Sequence, residues 1–519
     1  MVSDEDYREF VIKSLHKRIF YEGTREWLVL NREDLLAVYE LDFEPIHQQL
    51  RCLYSNRPRH LPHDPQVLLR SLLLMTVFGV TSITAWTKRL RSEPLLAIFA
   101  GTTIDHAPAV GTYYEFFKRL ENGNFEPKCR HRVLDSEQRQ ARKVDCLRKP
   151  WIRPEGKPDN SEHGEVMRNL VKEIISAEDQ PLPNDLETRL NLLLRDVAVK
   201  PSAAKGLISE LDKLAVAADG SVLKSYCDHD GKPVCDCHNQ GIYKCDHARR
   251  YSDPDSDWGW DNRVKDTVFG YRFAQVVALD TPHNLPLYLN IDPGSTYEPK
   301  MIVRAIDRMT KMGMIIKEGS FDALYDCYAF YGYLAHNGSD YAIPYNQPPA
   351  KCLALGEQGM LFDDKGRPLC PGGLPMIRQM VDKQGRQVYS CPVKRGTHID
   401  GKAVRVVRLD ECPLGALCDP KSKLGPLVHV AKDIDLRIHP TVPRGSEKYK
   451  ELCNARTTCE RSNSMKKEGL LMKFTKMRVM SYAHIRLTLV SILEHSLVWA
   501  RKKLENIDIK TTEPLALFA

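Results

Sequence analysis

The chain lacks a run of apolar residues long enough to cross a bilayer. Its greasiest stretches, SLLLMTVFGVTSITAW and LTLVSILEHSLVWA, are short or interrupted, whereas a spanning helix needs about 20 apolar positions. Both read as buried helices, and no membrane partner is expected. No export signal is expected either, since MVSDEDYREF is acidic and no apolar core follows it. No internal repeat is visible. Charge of one sign does not dominate: a net +7 over 519 residues permits binding to a polyanion without demanding it. Fifteen cysteines would suit a disulfide scaffold only in a short exported chain. Here they suggest reduced thiols, some of them on metal, in a cytoplasmic protein.

What is present is the composition of a folded chain, with 42% hydrophobic and 28% charged residues. The length predicts two to four units. Positive charge is clustered: from Phe116 to Arg153 basic residues outnumber acids by about two to one.

Residues 1–125 read as helical. Asp64-Pro65 is an N-cap followed by proline at the first helical position, opening HDPQVLLRSLLLMTVFGV. SITAWTKRLRS and GTYYEFFKRLENG give two more helices, the last closed by Gly123. Residues 126–210 combine the basic, proline-punctuated linker with a helical connection. From 211 to 349 strands alternate with helices: KLAVAADGSVLKS, YRFAQVVALD, PLYLNID and GMIIKEGSFD are strand candidates, and PKMIVRAIDRMTKMG has helical spacing. That interleaving predicts an α/β sheet. Residues 350–440 are rich in Gly, Pro and Cys and predict a β-rich insertion, and 441–519 return to a helical pattern.

Three acids stand where chemistry could use them. KLAVAADGSVLKS is broken at Asp219-Gly220 as a buried strand ending in a turn would be, which puts Asp219 at the C-terminal end of that strand, the edge at which open α/β sheets bind ligands. Asp322, in GSFDALYD, follows an apolar run and a glycine; the plainer reading makes it the cap of the helix ALYDCYAFYGYLAHN. Asp326, one turn on, is its rival. Glu460 lies among Arg456, Arg461, Lys466 and Lys467. On one helix, Arg456, Glu460 and Lys467 would share a face, the cations toward phosphates and the acid toward metal. An ordinary Arg–Glu surface pair has the same spacing. Three carboxylates from separate elements suit a pair of magnesium or manganese ions.

ELCNARTTCERSNSMKKEGLLMKF carries Cys453-x2-Arg456-x3-Glu460-x6-Lys467. It resembles the Tyr-x2-Arg-x3-Glu-x6-Lys signature around the catalytic glutamate of DDE transposases from bacterial insertion sequences, with Cys453 in place of the tyrosine. A thiol neither stacks like a ring nor donates as well to phosphate. VAADGS is similar to the family's first-aspartate strand, FDALYD to the second, and residues 63–120 to its N-terminal helical region. The resemblance implies a ribonuclease-H-like catalytic core with a β-rich insertion, preceded by an all-helical N-terminal domain. It further implies that Asp219, Asp322 and Glu460 bind Mg2+ for strand cleavage and strand transfer, with Arg456 and Lys467 on DNA phosphates. Partners would be the terminal inverted repeats and target DNA, in a synaptic homodimer on the nucleoid. The N-terminal helices and the basic stretch after Phe116 are the expected reader of the ends, although the SLLLMTVFGV helix reads as core. A transposase-derived DNA-binding protein without catalysis, or a related metal-dependent nuclease, would share these features.

The window YCDHDGKPVCDCHNQGIYKCDH packs four cysteines and three histidines. Structural zinc is the natural expectation, on Cys227, Cys235, Cys237 and Cys245, with His247 as substitute. Cys370, Cys391, Cys412 and Cys418 form a looser set within the insertion. YSDPDSDWGWD fails the calcium-loop pattern and reads as an Asx-rich turn.

Overall fold

Eight α-helices occupy the described residues up to Asn122: α1 (Asp4–Arg18), α2 (Thr24–Leu30), α3 (Arg32–Tyr39), α4 (His47–Arg51), α5 (Pro65–Val77), α6 (Ile83–Ser92), α7 (Pro94–Phe99) and α8 (Val110–Asn122). The computed structural model describes residues 2–54, 63–123, 132–134, 162–505 and 513–518, with breaks inside 162–505 at 246, 248, 262–264, 280, 348–352, 356–358, 364, 395–396, 400–401, 405–406, 408, 416, 420, 423–424, 432–433, 473–475 and 477. Most of the basic linker therefore lies outside the described residues.

The helix starts follow their local chemistry. Asp64 accepts from the Gln66 amide at 2.9 Å ahead of Pro65, and Ser82 caps α6. Gly123 closes α8 at φ 69°, a left-handed conformation that glycine takes without strain. The apolar run of α5 is core, with Leu68 to Thr76 buried. Within it Arg70 pairs with buried Asp4, and its guanidinium stacks 3.6 Å from the Tyr7 ring centroid. Burial pulls the Arg70 pKa down to about 9.

The chain divides into two units, the first made of Met1–Ile152, Ser176–Ile315 and Thr457–Ala519, the second of Arg153–Ile175 and Ile316–Arg456. The second opens with α9 (Glu162–Ser176), all but its last residue; the first holds β1 (Arg132–Leu134), α10 (Leu186–Leu194) and α11 (Lys200–Ala204). There follow β2 (Leu214–Lys224), β3 (Lys232–Pro233), β4 (Arg249–Tyr251), β5 (Asp257–Asp261), β6 (Asp266–Ala278), β7 (Pro286–Pro293) and α12 (Glu298–Lys311). Strand β6 is central. It pairs antiparallel with β2 along one edge, from Val216 opposite Ala278 to Lys224 opposite Gly270. Strands β5 and β7 share its other edge, also antiparallel. A separate small sheet has the order β1-β4-β3.

In the second unit β8 (Ile316–Ser320) pairs in parallel with β9 (Asp340–Ala342), with α13 (Tyr328–His336) between them in sequence. The segment from Leu353 to Val430 has mainly short strands as its regular elements. It holds a hairpin of β10 (Leu353–Leu355) and β11 (Met360–Phe362), and a sheet of β12 (Ile377–Val381), β13 (Gln387–Ser390) and β16 (Leu427–Val430). A third pair joins β14 (Thr397–Ile399) to β15 (Lys402–Val404). Phe362, Cys370, Met376, Tyr389, Val430 and Ile438 form its apolar cluster. Helix α14 (Glu447–Ala455) ends this unit.

Helices α15 (Thr457–Ser464) and α16 (Met480–Glu505) return to the first unit. Helix α15 packs on β2 and β6; α16 packs on α3, α5, α10 and β7, buried from Ala483 to Ala500. Among the described residues, no helix is long and apolar enough to cross a membrane. The protein is mixed α/β with a helical N-terminal region.

Candidate active site

Strand β2 does not stop at Asp219-Gly220. It runs on to Lys224, so Asp219 is a mid-strand residue and the glycine is no turn. Gly220 is there for a different reason. A Cβ at that position would lie 2.2 Å from Oε2 of Glu298, whose buried carboxylate fills the space and meets Nη1 of Arg272 at 3.2 Å. Alternation puts Ala217, Asp219 and Ser221 on the opposite face. Helix α15 covers that face, with Cys459 packed on Ala217 and Val277.

Asp219 is half-buried, and its Oδ2 accepts from Nδ2 of Asn463 at 2.8 Å. Asn463 in turn accepts from Nε2 of Gln275 at 2.8 Å, and Gln275 stands opposite Asp219 in the β2–β6 register. The Ser462 hydroxyl reaches Oε1 of Gln275 at 3.4 Å and Oε2 of Glu494 at 3.3 Å. Lys466 closes the chain, donating to Ser462 at 3.0 Å and to Glu494 at 2.5 Å. Burial pulls the Lys466 ammonium down and pushes the Glu494 carboxyl up, each against the pull of the other. Asn463, Gln275, Ser462, Lys466 and Glu494 were not legible as site residues. The available signal was an acid, Glu494, inside a helix buried along most of its length.

The Arg456, Glu460 and Lys467 set does not share one helix. Arg456 caps the end of α14, Glu460 lies exposed in the first turn of α15, and Lys467 falls in the wide π turn Met465–Gly469. That turn changes the angular register beyond Ser464. It carries the buried Lys467 ammonium onto the Ser221 hydroxyl, two residues along β2 from Asp219, and 5.9 Å from the Phe273 ring centroid. Glu460 is three residues before Asn463, one helical turn from the group that holds Asp219. Arg461 turns elsewhere, to Asn284 at 2.9 Å.

In the second unit Asp322 lies just beyond β8, half-buried. It caps the short turn Ala323–Tyr325, accepting from the Ala323 amide at 2.5 Å, and α13 starts only at Tyr328. It therefore does not cap the long helix. Asp326 has a structural role. It is buried against Nε and Nη2 of Arg437 at 2.7 and 2.8 Å, and also accepts from Tyr331 and the Asn346 amide. Cys453 is half-buried on α14, one turn after Tyr449, and burial raises its thiol pKa.

Cys235, Cys237, Cys245 and His247 bring their ligand atoms within 4.8 Å of one another. Cys227 stands apart, its thiol donating to the Arg478 carbonyl at 2.7 Å. The Cys237 amide draws the Cys235 pKa down to about 7; desolvation and then Cys235 push Cys237 up to about 11. Cys370 and Cys391 are buried in the insertion, and among the described residues they do not close a ligand group with Cys412 and Cys418. Asp253 of the acidic loop accepts from the Asp255 amide at 3.1 Å, an Asx turn, and from Ser256 and Tyr271.

Residues 32–119, from the start of α3 into α8, match the family model described as Transposase domain (DUF772). This supports a transposase family, and with it an enzyme of the transposase kind. No curated protein matches the chain.

Proposed function

We propose that the protein is a DDE transposase that binds the ends of an insertion sequence, cuts DNA there and joins the freed end to target DNA. The observation that carries this reading is the setting of Asp219. It is a half-buried carboxylate held by Asn463 of the helix that bears Glu460, with the Lys467 ammonium on Ser221 of the same strand face. The antiparallel β2, β6 and β7, the following α12 and the parallel β8 and β9 agree with a ribonuclease-H-like core. The insertion falls between the second and third acids, as the resemblance implies.

Asp219, Asp322 and Glu460 offer hard oxygen donors of the kind that Mg2+ or Mn2+ takes. Bound Mg2+ would neutralise charge at phosphorus and activate the attacking oxygen. The chain's own contribution is orientation. Asn463 holds one Asp219 oxygen, and Gln275 fixes Asn463, so rotating the carboxylate breaks its bond to an amide that is itself held in place. Lys467 sets a cation at Ser221, on the same strand face as that carboxylate and two residues along, where it could meet the negative charge of a phosphate. Arg456 is the other proposed phosphate contact. Asp322 is preferred over Asp326 because Asp326 is saturated by Arg437, Tyr331 and Asn346. The DNA partners are the terminal inverted repeats and the target, held by a homodimer.

The test is strand cleavage. DNA carrying the sequences that flank the gene, tested for terminal inverted repeats, is incubated with protein and Mg2+. Wild type is expected to nick at the element's end. Asp219→Ala and Glu460→Ala are expected to shift the DNA without cutting it; full cleavage by both variants overturns the assignment.

A further inference from the structure

We infer that Cys235, Cys237, Cys245 and His247 form a tetrahedral zinc site that fastens the excursion between β2 and β5, and that Cys227 is not one of its ligands. The separation of the four side chains is that of a metal shell. Sγ of Cys235 is 3.6 Å from Sγ of Cys245, and Sγ of Cys237 is 3.1 Å from Nδ1 of His247. Tetrahedral zinc with its usual bond lengths sets sulfurs about 3.8 Å apart and sulfur and nitrogen about 3.6 Å apart. All four ligand atoms lie within 4.8 Å of one another, so one ion meets them with shifts of about 1 Å or less.

The sequence arrangement is a matched pair of clamps. Cys235-x-Cys237 and Cys245-x-His247 flank the turn Cys237–Gln240, which Gly241 closes in the left-handed region at φ 78°. The second clamp leads directly into β4. Burial does not hold this segment: Val234 is 47%, Ile242 48% and Tyr243 70% exposed. A loop with so little apolar core needs another source of order, and metal binding couples directly to folding in such modules. Thiolates with one imidazole select zinc over hard cations. The set uses none of Asp219, Asp322 and Glu460, so its fate is separable from the catalytic reading.

The full-length protein, purified under reducing conditions, is analysed for zinc and then reconstituted with Co2+ after chelation. Expected are a single zinc per chain and the intense visible bands of tetrahedral thiolate-bound Co2+. Cys235→Ser and Cys245→Ser should lose the ion, whereas Cys227→Ser should retain it fully. Because the wild-type stoichiometry and Co2+ spectrum need no variant to fold, they stand as a test by themselves. Zinc-free reduced protein that gives no Co2+ bands overturns the site. So does loss of zinc from Cys227→Ser, or a Cys235–Cys245 disulfide found by mass spectrometry in protein freshly isolated from the reducing cell interior.

Discussion

Asn463 donates its side-chain amide to Asp219 at 2.8 Å while accepting from Gln275, so a helix residue determines how a strand carboxylate is aimed. Partners that orient a metal-binding carboxylate typically matter by about 10- to 100-fold in activity. Asn463→Ala is expected to lower strand cleavage by about that factor while leaving binding of end-bearing DNA unchanged. Asn463→Asp is the sharper probe. It sets two carboxylates within hydrogen-bond range, which disfavours ionising both and raises the pKa of the pair. The acid limb of its pH–rate profile should move to higher pH than that of wild type; an unmoved limb removes Asn463 from the site.

Asp326 and Asp322 should separate stability from catalysis. Asp326→Asn leaves Arg437 buried without its carboxylate, and breaking a buried pair costs about 3–5 kcal/mol. Its thermal melt should fall by several degrees. Asp322 is half-buried and holds a short turn, so Asp322→Asn should melt within a degree or two of wild type yet abolish nicking. The reverse pattern would hand the second catalytic position to Asp326.

Carboxylates beside apolar runs are conspicuous in a sequence, which is why these acids become candidates, and the surrounding strands and helices are legible because their periodicity is local. The errors arose where a distant residue decides the outcome. Gly220 reads as a turn, yet it is small because Glu298, far along the chain, occupies its side-chain space. Arg456, Glu460 and Lys467 read as one helical face, but the helix breaks at Arg456 and widens at Met465. In the cysteine cluster, the sequence named Cys235, Cys237 and Cys245 but could not decide between Cys227 and His247 for the fourth place. Only the folded positions separate His247, which joins the group, from Cys227, which bonds to the Arg478 carbonyl.

The Lys466–Glu494 pair underlies the Asp219 face, and both side chains are almost wholly buried. Lys466→Met leaves Glu494 without its cation and is expected to destabilise the first unit by about 3–5 kcal/mol. Joint replacement, Lys466→Met with Glu494→Leu, should recover most of that loss, because neither charge then remains to be solvated. Urea unfolding of the two single variants and the double variant gives the coupling directly. A double variant as unstable as the sum of the singles would show that the pair is not the coupled element described here.

Acid should weaken the first unit through two histidines on α16. Burial lowers the pKa of both His484 and His495 to about 4, against 6.5 for a free imidazole. Nε2 of His495 donates to the Pro286 carbonyl at 2.8 Å and Nδ1 accepts from Ser202 at 2.7 Å, an arrangement that needs the neutral ring. Between about pH 6.5 and 4 the unfolded chain binds more protons than the folded one, so this stability is complete above that window and lost as pH falls through it. Each ring contributes up to about 3 kcal/mol, with a slope of at most about 1.4 kcal/mol per pH unit. His495→Gln keeps an amide donor and acceptor but does not titrate. Amide hydrogen exchange in α16, followed between pH 7 and 5 and corrected for intrinsic rates, should therefore show a shallower acid dependence in His495→Gln than in wild type. Equal dependence in the two proteins would mean that the His495 ring does not take up a proton on opening.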